Sequence, residues 1–471
     1  MNILLINPSL QEVEISHYKK KVEKNRGVYP PLGLCYIASA LKNKNHQVKI
    51  IDCDTEDNYF EKIKNTIKDF NSDIVGFYVM TWTYRQAKNI AKEIKIINPQ
   101  IKIIVGGPQA TTFPKFSINC PEFDFGVISE GEVTVQELIE ALEKNNPLEQ
   151  IKGLAFKKNS EIIINPKREL IKNLDLIPFP ARELLLINKY FDIFTKKKRF
   201  ATLIASRGCP FECSFCDRDN RMGRQWRVRS AKNIIEEIKL IQKQYNINEF
   251  MFFDDNLTSN KKWVYELCEL IIENNLKIIW ECRTRVDLVD KDLLKSMEQA
   301  GCYRIRFGFE SGNNKILEIV QKGITVEQSL LCAEACKQVG MEMFGYFMMG
   351  SPYEKEEMLQ QTLDLALKID SDFALFSKTI LIPNTELFDW AVENNYIEKD
   401  YWKKYLTGEE TNSAPSLDTK ELPEKTVDKY ISLANKKFYL RFRYLLRRII
   451  SIRNWQQFSS QIKMAKSLFI K

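Results

Sequence analysis

The sequence predicts an α/β protein in which a doubly wound domain of the flavodoxin or Rossmann type (residues 1–145) is followed by a linker (146–198). A partial (β/α)6 barrel (199–395) and a helical, basic C-terminal region (396–471) complete the chain. Three observations favour this class. Short apolar runs alternate with helical patterns in both halves, the 471 residues exceed one ordinary domain, and no uninterrupted run of about 18 apolar residues suggests a membrane span.

The first part contains five short apolar runs, at 3–6, 48–51, 74–79, 101–105 and 125–128. Helical patterns separate them, so they predict a parallel sheet with both faces covered by helices. Ligands of such sheets lie beyond the carboxyl ends of the strands, and glycine there lets a flat ligand approach the backbone. The candidate ligand-binding residues are therefore those that follow the strands: Asn7, Pro8, Thr81, Gly106, Gly107, Glu130 and Gly131.

The middle of the chain changes character before the second α/β series begins. Residues 153–164 are typical of a hairpin and residues 177–180 carry two prolines, and we place both in the linker. Six further apolar runs then alternate with helices, near 202–205, 249–253, 278–282, 304–309, 342–348 and 373–382. Six units are too few for the eight of a closed barrel, so the sequence predicts an open, partial one.

The cysteines divide into two groups. Eight lie within apolar or helical patterns and are expected to be buried structural residues: Cys35, Cys53, Cys120, Cys268, Cys282, Cys302, Cys332 and Cys336. An odd total of eleven, in a chain whose first residues lack the features of a signal peptide, favours a reducing compartment and a cytoplasmic location.

Cys209, Cys213 and Cys216 form a C-x3-C-x2-C motif directly after an apolar strand. Thiolates are the usual ligands of iron-sulfur clusters, and three of them can hold three irons of a four-iron cluster while the fourth stays open. The alternative is structural zinc, which requires four Cys or His ligands. The two histidines, His17 and His46, are far away in sequence, so we expect the cluster.

With Phe215 before its last cysteine, this motif resembles that of the radical S-adenosylmethionine superfamily. The resemblance implies that the methionyl amine and carboxylate of S-adenosylmethionine chelate the open iron. One electron from the cluster then splits the sulfonium and releases a 5'-deoxyadenosyl radical. The cofactor supplies this chemistry while the protein orients it.

Further residues of the barrel are similar to cofactor-binding positions of that superfamily. Asp254 and Asp255, followed by Asn256, stand where the family often holds the methionyl amine. Met348, in the segment 347–350, resembles the position whose backbone reads adenine, and it equally fits a core strand.

Two charged residues leave alternatives open. Arg285, at the end of the third barrel strand, either clamps the methionyl carboxylate or forms an exposed salt bridge. Glu310, at the end of the fourth strand, resembles a position that contacts the cofactor ribose or amine, and it is also suited to cap a helix.

The first domain resembles the cobalamin-binding domain that precedes the radical domain in one branch of the superfamily. The better-matching segments are 30–41, 106–114 and 124–132. The D-x-H-x-x-G element that supplies a histidine to cobalt in many cobalamin domains is absent, since Ile15 stands two residues before His17. We therefore expect cobalamin without a protein histidine ligand, and a structural role for His46.

The resemblance implies a cobalamin-dependent radical enzyme that methylates an unactivated carbon of a small molecule. An external electron donor and a second S-adenosylmethionine would complete its cycle. Oxidative ring formation assisted by cobalamin is the alternative within the same branch. Methylthiotransfer is disfavoured, because the relatives that perform it carry a second cysteine trio in the first domain, whereas Cys35, Cys53 and Cys120 are widely spaced.

The C-terminal tail carries the excess positive charge. Residues 436–471 hold ten Lys or Arg and no acid, so the net charge of +8 becomes −2 for the rest of the chain. Apolar residues recur at helical spacing beside Lys437, Arg441, Arg447 and Arg448; these are Phe438, Phe442, Leu445, Leu446, Ile449 and Ile450. The pattern predicts either peripheral contact with an anionic membrane, which would favour a lipid or isoprenoid-like substrate, or a helix packed on the barrel.

A basic tail with aromatic residues also raises the possibility of a metal-stabilised nucleic-acid-binding module. Such a module needs a four-ligand zinc site. No fourth ligand stands near the cysteine motif, so nucleic acid is not the expected partner.

Overall fold

The computed structural model describes residues 1–10, 27–217 and 222–451, and His17 lies outside these ranges. The strands are β1 (Asn2–Asn7), β2 (Gly27–Val28), β3 (Gln47–Asp52), β4 (Ile74–Tyr78), β5 (Lys102–Gly106), β6 (Phe125–Val127), β7 (Leu154–Lys158), β8 (Glu161–Ile164), β9 (Phe191–Asp192), β10 (Ala201–Leu203), β11 (Ser206–Arg207), β12 (Arg227–Val228), β13 (Glu249–Phe252), β14 (Ile279–Thr284), β15 (Cys302–Glu310), β16 (Glu342–Met349) and β17 (Phe373–Lys378).

The α-helices of the described residues connect these strands or follow them. They are α1 (Leu32–Lys42), α2 (Tyr59–Phe70), α3 (Tyr84–Ile97), α4 (Pro108–Thr112), α5 (Pro114–Asn119), α6 (Glu132–Lys144), α7 (Ala231–Tyr245), α8 (Lys261–Glu273), α9 (Lys291–Gln299), α10 (Asn314–Ile319), α11 (Val326–Val339), α12 (Glu356–Ile369), α13 (Glu386–Glu393), α14 (Tyr401–Thr407), α15 (Glu424–Tyr439) and α16 (Phe442–Ser451). Among these residues, no helix combines the length and the apolar character that crossing a bilayer requires.

The first sheet has the strand order β3-β1-β4-β5-β6-β7-β8, and its first five strands are parallel. This is the flavodoxin-type order, in which the winding reverses between β1 and β4, and it confirms the predicted doubly wound domain. Alternate side chains face opposite layers: Ile3 and Leu5 pack with helices α1 and α6, whereas Leu4 and Ile6 pack with α2 and α3. Polar residues do not alternate with apolar ones in these strands, because helices cover both faces of the sheet.

The predicted hairpin forms, but it is not part of a linker. Strand β7 pairs antiparallel with β6, and β8 pairs with β7, so the hairpin extends the first sheet at one edge. Leu154 and Phe156 are buried in the same core as Phe125 and Val127. A hairpin has the same local pattern wherever it docks, so the sequence did not reveal this long-range pairing.

The second sheet consists of six parallel strands in the order β10-β13-β14-β15-β16-β17, which confirms the open, partial barrel. Helices α7 to α12 cover its outer face. Their buried side chains, including Ile234, Leu267 and Leu363, form one core with Trp280 and Phe307 of the strands. The inner face is left for polar residues and for the loops at the carboxyl ends of the strands.

The region after the barrel does not form a single unit, although the sequence analysis groups residues 396–471 together. Helix α13 lies within the range predicted for the barrel (199–395), but both α13 and α14 pack on the first domain, where Phe388 and Trp402 join the core that contains Ile90. Helix α15 returns to the barrel: Phe438 is buried against Phe376, and the Tyr439 hydroxyl donates to the Ala374 carbonyl at 2.6 Å. Each segment buries its own apolar residues against a different partner.

The apolar stripe predicted for the tail is divided in the structure. Phe438 is buried at the end of α15, whereas Phe442 of α16 is 79% exposed and Leu445 and Leu446 are more than two-fifths exposed. The chain leaves the helix between Tyr439 and Phe442, so the two sets do not share a face. The side chains of Arg448, Ile449 and Ile450 lie outside the part that the structure describes.

Candidate cofactor sites

The three motif cysteines lie in the loop that follows β11, and all three side chains are half-buried. The loop backbone is held by hydrogen bonds, from Cys209 N–H to the Gly223 carbonyl at 3.2 Å and from Cys216 N–H to the Cys213 carbonyl at 3.1 Å. Gly208 has φ +86°, and a Cβ there would stand 2.2 Å from the Gln225 carbonyl oxygen. Only glycine fits this close approach, which turns the chain from β11 into the cysteine loop.

The three thiols do not form a site for a single metal ion with other described residues. Nowhere in the described ranges do three His, Cys, Asp or Glu side chains converge as the ligands of a single metal ion do. A four-iron cluster does not need such convergence, since each cysteine binds a different iron. Burial raises the pKa of the Cys209 thiol, so bound iron would be needed to favour the thiolate.

The acidic residues after β13 differ in their surroundings. Asp254 is buried and accepts hydrogen bonds from the Ser206 hydroxyl at 2.6 Å and from the Ser206 and Ala205 backbone amides. Burial raises the pKa of Asp254 to about 6. This carboxyl therefore fixes the strand that leads into the cysteine loop. Asp255 is exposed and lines the large cavity described below.

Arg285 packs on the cysteine loop. Its guanidinium lies 3.8 Å from the centre of the Phe211 ring and forms an ion pair with Asp287 at 3.0 Å. The guanidinium also donates to the Lys322 carbonyl. The side chain is buried, so the alternative of an exposed salt bridge is wrong: the salt bridge exists, but it holds the arginine beside the cluster loop.

Glu310 ends β15 in the left-handed region at φ +61°, a strained conformation for a residue with a side chain. Its carboxylate accepts from Lys322 Nζ at 2.7 Å, and both groups are buried. Burial lowers the pKa of Lys322, but the ion pair with Glu310 outweighs it and leaves this pKa raised. The helix-capping alternative is wrong, because Asn313 caps α10 by accepting from the Ile316 amide.

Lys322 is a residue that the sequence analysis missed. It is buried and lies 6.0 Å from the ring of Phe215 in the cysteine loop. Met348 is half-buried on the opposite face of β16 from Phe347, whose ring stacks between Phe309 and Phe376. Alternation along the strand therefore directs Met348 toward the interior of the barrel.

A cavity of about 730 Å³ lies between the carboxyl ends of the first sheet and the barrel. It brings together six of the predicted residues: Asn7, Gly106, Gly107, Glu130, Gly131 and Asp255. Pro8 and Thr81 are buried beside it and do not line it. The fold thus brings to one cavity five residues predicted from the strand ends of the first sheet and Asp255, predicted from the family resemblance, which lies 248 positions after Asn7.

The cavity continues as a slot between the first sheet and helices α1 and α6, lined by Leu5, Gly76 and Val135. A Cβ at Gly76 would stand 2.8 Å from Leu5 Cδ2, and one at Gly107 (φ +90°) would stand 3.0 Å from the Val79 carbonyl oxygen. Glycine at both positions keeps the walls open for a flat ligand with an extended arm. Cobalamin has this shape, and the residues fit it.

His46 does not line this cavity. His46 lies at the other end of the sheet, where its ring is 3.4 Å from the Met1 amino group and 3.6 Å from Glu143. Burial lowers its pKa. This placement agrees with the structural role expected for His46.

Buried ion pairs join the two halves of the molecule at the cavity wall. Glu130 accepts from Arg207 at 2.9 Å and from Arg227 at 2.8 Å, and Glu132 accepts from Arg207 at 2.5 Å. Burial alone would raise the pKa of Glu132, but Arg207 outweighs it and leaves this pKa lowered. Sequence reasoning missed both arginines, and the one available signal was that Arg207 stands directly before the glycine and first cysteine of the motif.

Comparison with known proteins agrees with this arrangement. Residues 19–139 match the B12 binding domain model and residues 203–366 match the Radical SAM superfamily model. An uncharacterised methyltransferase of Pyrococcus horikoshii is 36% identical over 450 residues, which cover 95% of each chain. The chain belongs to the cobalamin-binding radical S-adenosylmethionine family.

Two other relatives differ in the reactions their names describe. The anaerobic magnesium-protoporphyrin IX monomethyl ester cyclase of Rubrivivax gelatinosus is 27% identical, over 94% of this chain and 79% of its own. The radical S-adenosylmethionine methyltransferase TsrM of Kitasatospora setae, solved with cobalamin and a [4Fe-4S] cluster, shares the fold with a TM-score of 0.69 and 16% identity, over 83% of this chain and 78% of its own.

This cobalamin-binding radical S-adenosylmethionine protein is an enzyme that uses a four-iron four-sulfur cluster, S-adenosylmethionine and cobalamin. The methyltransferase and the cyclase among its relatives show that the family model alone leaves the reaction open.

Proposed function

We propose that this enzyme transfers a methyl group to an unactivated carbon of a small-molecule substrate. The observation that carries the proposal is the shared cavity, whose wall includes Gly107 and Gly131 of the cobalamin-binding domain and Asp255 of the barrel. A substrate held there lies between the two cofactors, as hydrogen abstraction and methyl delivery at one carbon require.

The cofactors would supply the reactive groups. The cluster with S-adenosylmethionine would supply radical chemistry at a C–H bond of the substrate, and cobalamin would supply the methyl group. A second S-adenosylmethionine restores that methyl group, and an external donor supplies the electrons. One turnover therefore releases 5'-deoxyadenosine and S-adenosylhomocysteine in equal amounts.

The chain's own residues would hold these groups in place. We assign Cys209, Cys213 and Cys216 to the cluster. Arg285, Glu310 and Met348 are assigned to S-adenosylmethionine with Asp255, and Asp254 keeps the cysteine loop in register through its contacts with Ser206. Asn7, Gly106, Gly107, Glu130 and Gly131 are assigned to cobalamin.

The test uses S-adenosylmethionine with a trideuterated methyl group. Reconstituted enzyme is incubated anaerobically with reductant and a small-molecule extract of its source organism, and products are followed by mass spectrometry. We expect a product that carries the intact trideuteromethyl group, with equal amounts of 5'-deoxyadenosine and S-adenosylhomocysteine. A product that has lost hydrogen and gained no label, formed without S-adenosylhomocysteine, would instead identify an oxidative cyclase.

We also propose that α16 makes peripheral contact with a membrane, so that a lipid or isoprenoid-like substrate could enter from the bilayer. Support comes from Phe442, Leu445 and Leu446, which are exposed on α16 while Arg441 and Arg447 anchor the helix through Asp370. Apolar side chains beside cations are the pattern of a surface-binding helix.

Vesicle sedimentation tests this contact. Wild-type protein should pellet with anionic vesicles at low salt, and a double variant, Phe442→Ser with Leu446→Ser, should remain in solution. Both substitutions are on exposed positions and leave the buried Tyr444 in place. Equal behaviour of the two proteins contradicts the membrane contact.

A further inference from the structure

Arg283 is an arginine of the cavity wall that forms no ion pair with a described residue. It lies on β14, lines the cavity and is half-buried. Within the described residues its guanidinium makes no hydrogen bond and no ion pair; its recorded contact is with the face of the Phe253 ring, 4.6 Å from the ring centre. An arginine turned toward a cavity without a carboxylate partner can bind a ligand anion.

The neighbouring carboxylates already have partners. Arg306 stands beside Arg283 in the strand register, and it forms ion pairs with Glu281 at 2.5 Å and with Asp192 at 3.4 Å. Glu281 also pairs with Arg304 at 3.0 Å. Glu281 and Asp192 are thus neutralised by arginines other than Arg283.

The aromatic contact orients the guanidinium without using its donors. Phe253 is itself supported by Tyr29, whose ring centre is 5.2 Å away and whose hydroxyl donates to Asp192 at 2.5 Å. The cation–π contact uses none of the guanidinium N–H groups as hydrogen-bond donors, so they remain available to a planar or tetrahedral oxyanion. The Arg283 guanidinium can therefore donate two parallel hydrogen bonds to an oxyanion.

The other cation on the cavity wall is differently placed. Arg207 also lines the cavity, but its guanidinium is taken by Glu130 and Glu132. Arg283 faces the space between the two cofactor-binding parts, on the barrel side, where the proposed function puts the substrate.

We propose that Arg283 binds an oxyanion of the substrate, so that the substrate is a small molecule bearing a carboxylate or a phosphate group. This inference rests on the proposed function for the location of the substrate. It does not depend on whether the reaction is methylation or ring formation, because both need the substrate in this cavity.

The experiment measures anion binding to the enzyme loaded with its cluster and with cobalamin. Methylphosphonate and acetate serve as probes for phosphate and carboxylate groups, and saturation-transfer NMR on their methyl protons follows each titration. Wild-type protein should bind at least one probe, and Arg283→Gln should weaken that binding by about tenfold or more, because charge-assisted bidentate bonds are lost. Which probe binds more tightly identifies the anion.

Two controls make the result specific. Arg283→Lys retains the charge and should bind with intermediate affinity, since it lacks the planar fork. Arg199→Gln removes an exposed arginine elsewhere and should bind as the wild type does. Cobalamin content and S-adenosylmethionine binding are measured on every variant.

Three outcomes would overturn the proposal. Neither probe binds the wild type, or Arg283→Gln binds the probe as tightly as the wild type does, or Arg283→Gln loses cobalamin or S-adenosylmethionine, which would assign the guanidinium to a cofactor. Failure of the proposed methylation is detected separately, through the isotope experiment, and leaves anion binding at Arg283 intact.

Discussion

At the residue scale, the cysteine loop depends on a few contacts that local sequence does not display. Asp254 holds Ser206, Gly208 permits the turn, and Arg285 packs on Phe211. The motif itself was predictable because thiol spacing determines which metal group can be bound. Gly208 is local to the motif, whereas Asp254 and Arg285 follow other strands, so their contacts with the loop form only when those strands pack together.

The cluster assignment predicts opposite results for two cysteines. Cys213→Ala should abolish both cluster assembly and S-adenosylmethionine cleavage, because three ligands are the least that can hold the cluster with one open iron. Cys268 is fully buried in the barrel core, and Cys268→Ala should leave both properties intact. Iron content and 5'-deoxyadenosine release measure the outcome, and cleavage that survives Cys213→Ala would falsify the assignment.

At the element scale, the strands were predicted more securely than the segments that cover them. Strands such as β1 and β15 are marked by short apolar runs between helices. The hairpin β7-β8 and helices α13 and α14 have ordinary amphipathic patterns, which say that a face is buried but not against what. Their placement on the first domain was decided by the complementary surfaces of both halves.

Helix α15 provides a stability prediction at this scale. Phe438 is fully buried between Phe376, Tyr439 and Tyr444, so Phe438→Ala should destabilise the barrel by about 3–5 kcal/mol. Phe442 is only four residues further along the chain, but Phe442→Ala should change the free energy of unfolding little, because Phe442 is already 79% exposed. Denaturant titration compares the two variants. Equal losses of stability in the two variants would contradict the finding that Phe438 of α15 is buried while Phe442 of α16 is exposed.

At the scale of the whole molecule, the two α/β units are joined where their cofactor sites meet. Arg207 of β11 and Arg227 of β12, which form a separate two-stranded sheet, enclose Glu130, which follows a strand of the first sheet, and all three residues are buried. Glu130 and Arg207 both line the cavity. The same contacts that hold the halves together therefore shape the space between the cofactors.

From the buried ion pairs of Arg207 we expect one variant to lose both stability and bound cobalamin. Arg207→Gln leaves Glu132 buried without its ion-pair partner, which should cost about 3–5 kcal/mol and should lower cobalamin retention by disturbing Glu130 and Gly131. Arg224→Gln is the matched control, because the Arg224–Glu212 pair is exposed and should contribute at most about 1 kcal/mol. Thermal unfolding and the amount of bound cobalamin are measured on both variants. Unchanged cobalamin binding in Arg207→Gln would contradict the proposed dependence of cobalamin retention on these ion pairs.

The sequence by itself determined the two α/β units, the cysteine motif and the strand ends that carry the cavity residues. These properties are local: strand periodicity, thiol spacing and the position after a strand are all read within a few residues. Tertiary structure alone decided that the hairpin joins the first sheet and that helices α13 and α14 pack on the first domain while α15 packs on the barrel. It also decided that, among the described residues, Arg283 forms no ion pair while Arg207 and Arg306 do. Ion pairing and burial depend on residues far apart in the chain, which meet only when the sheets and helices pack.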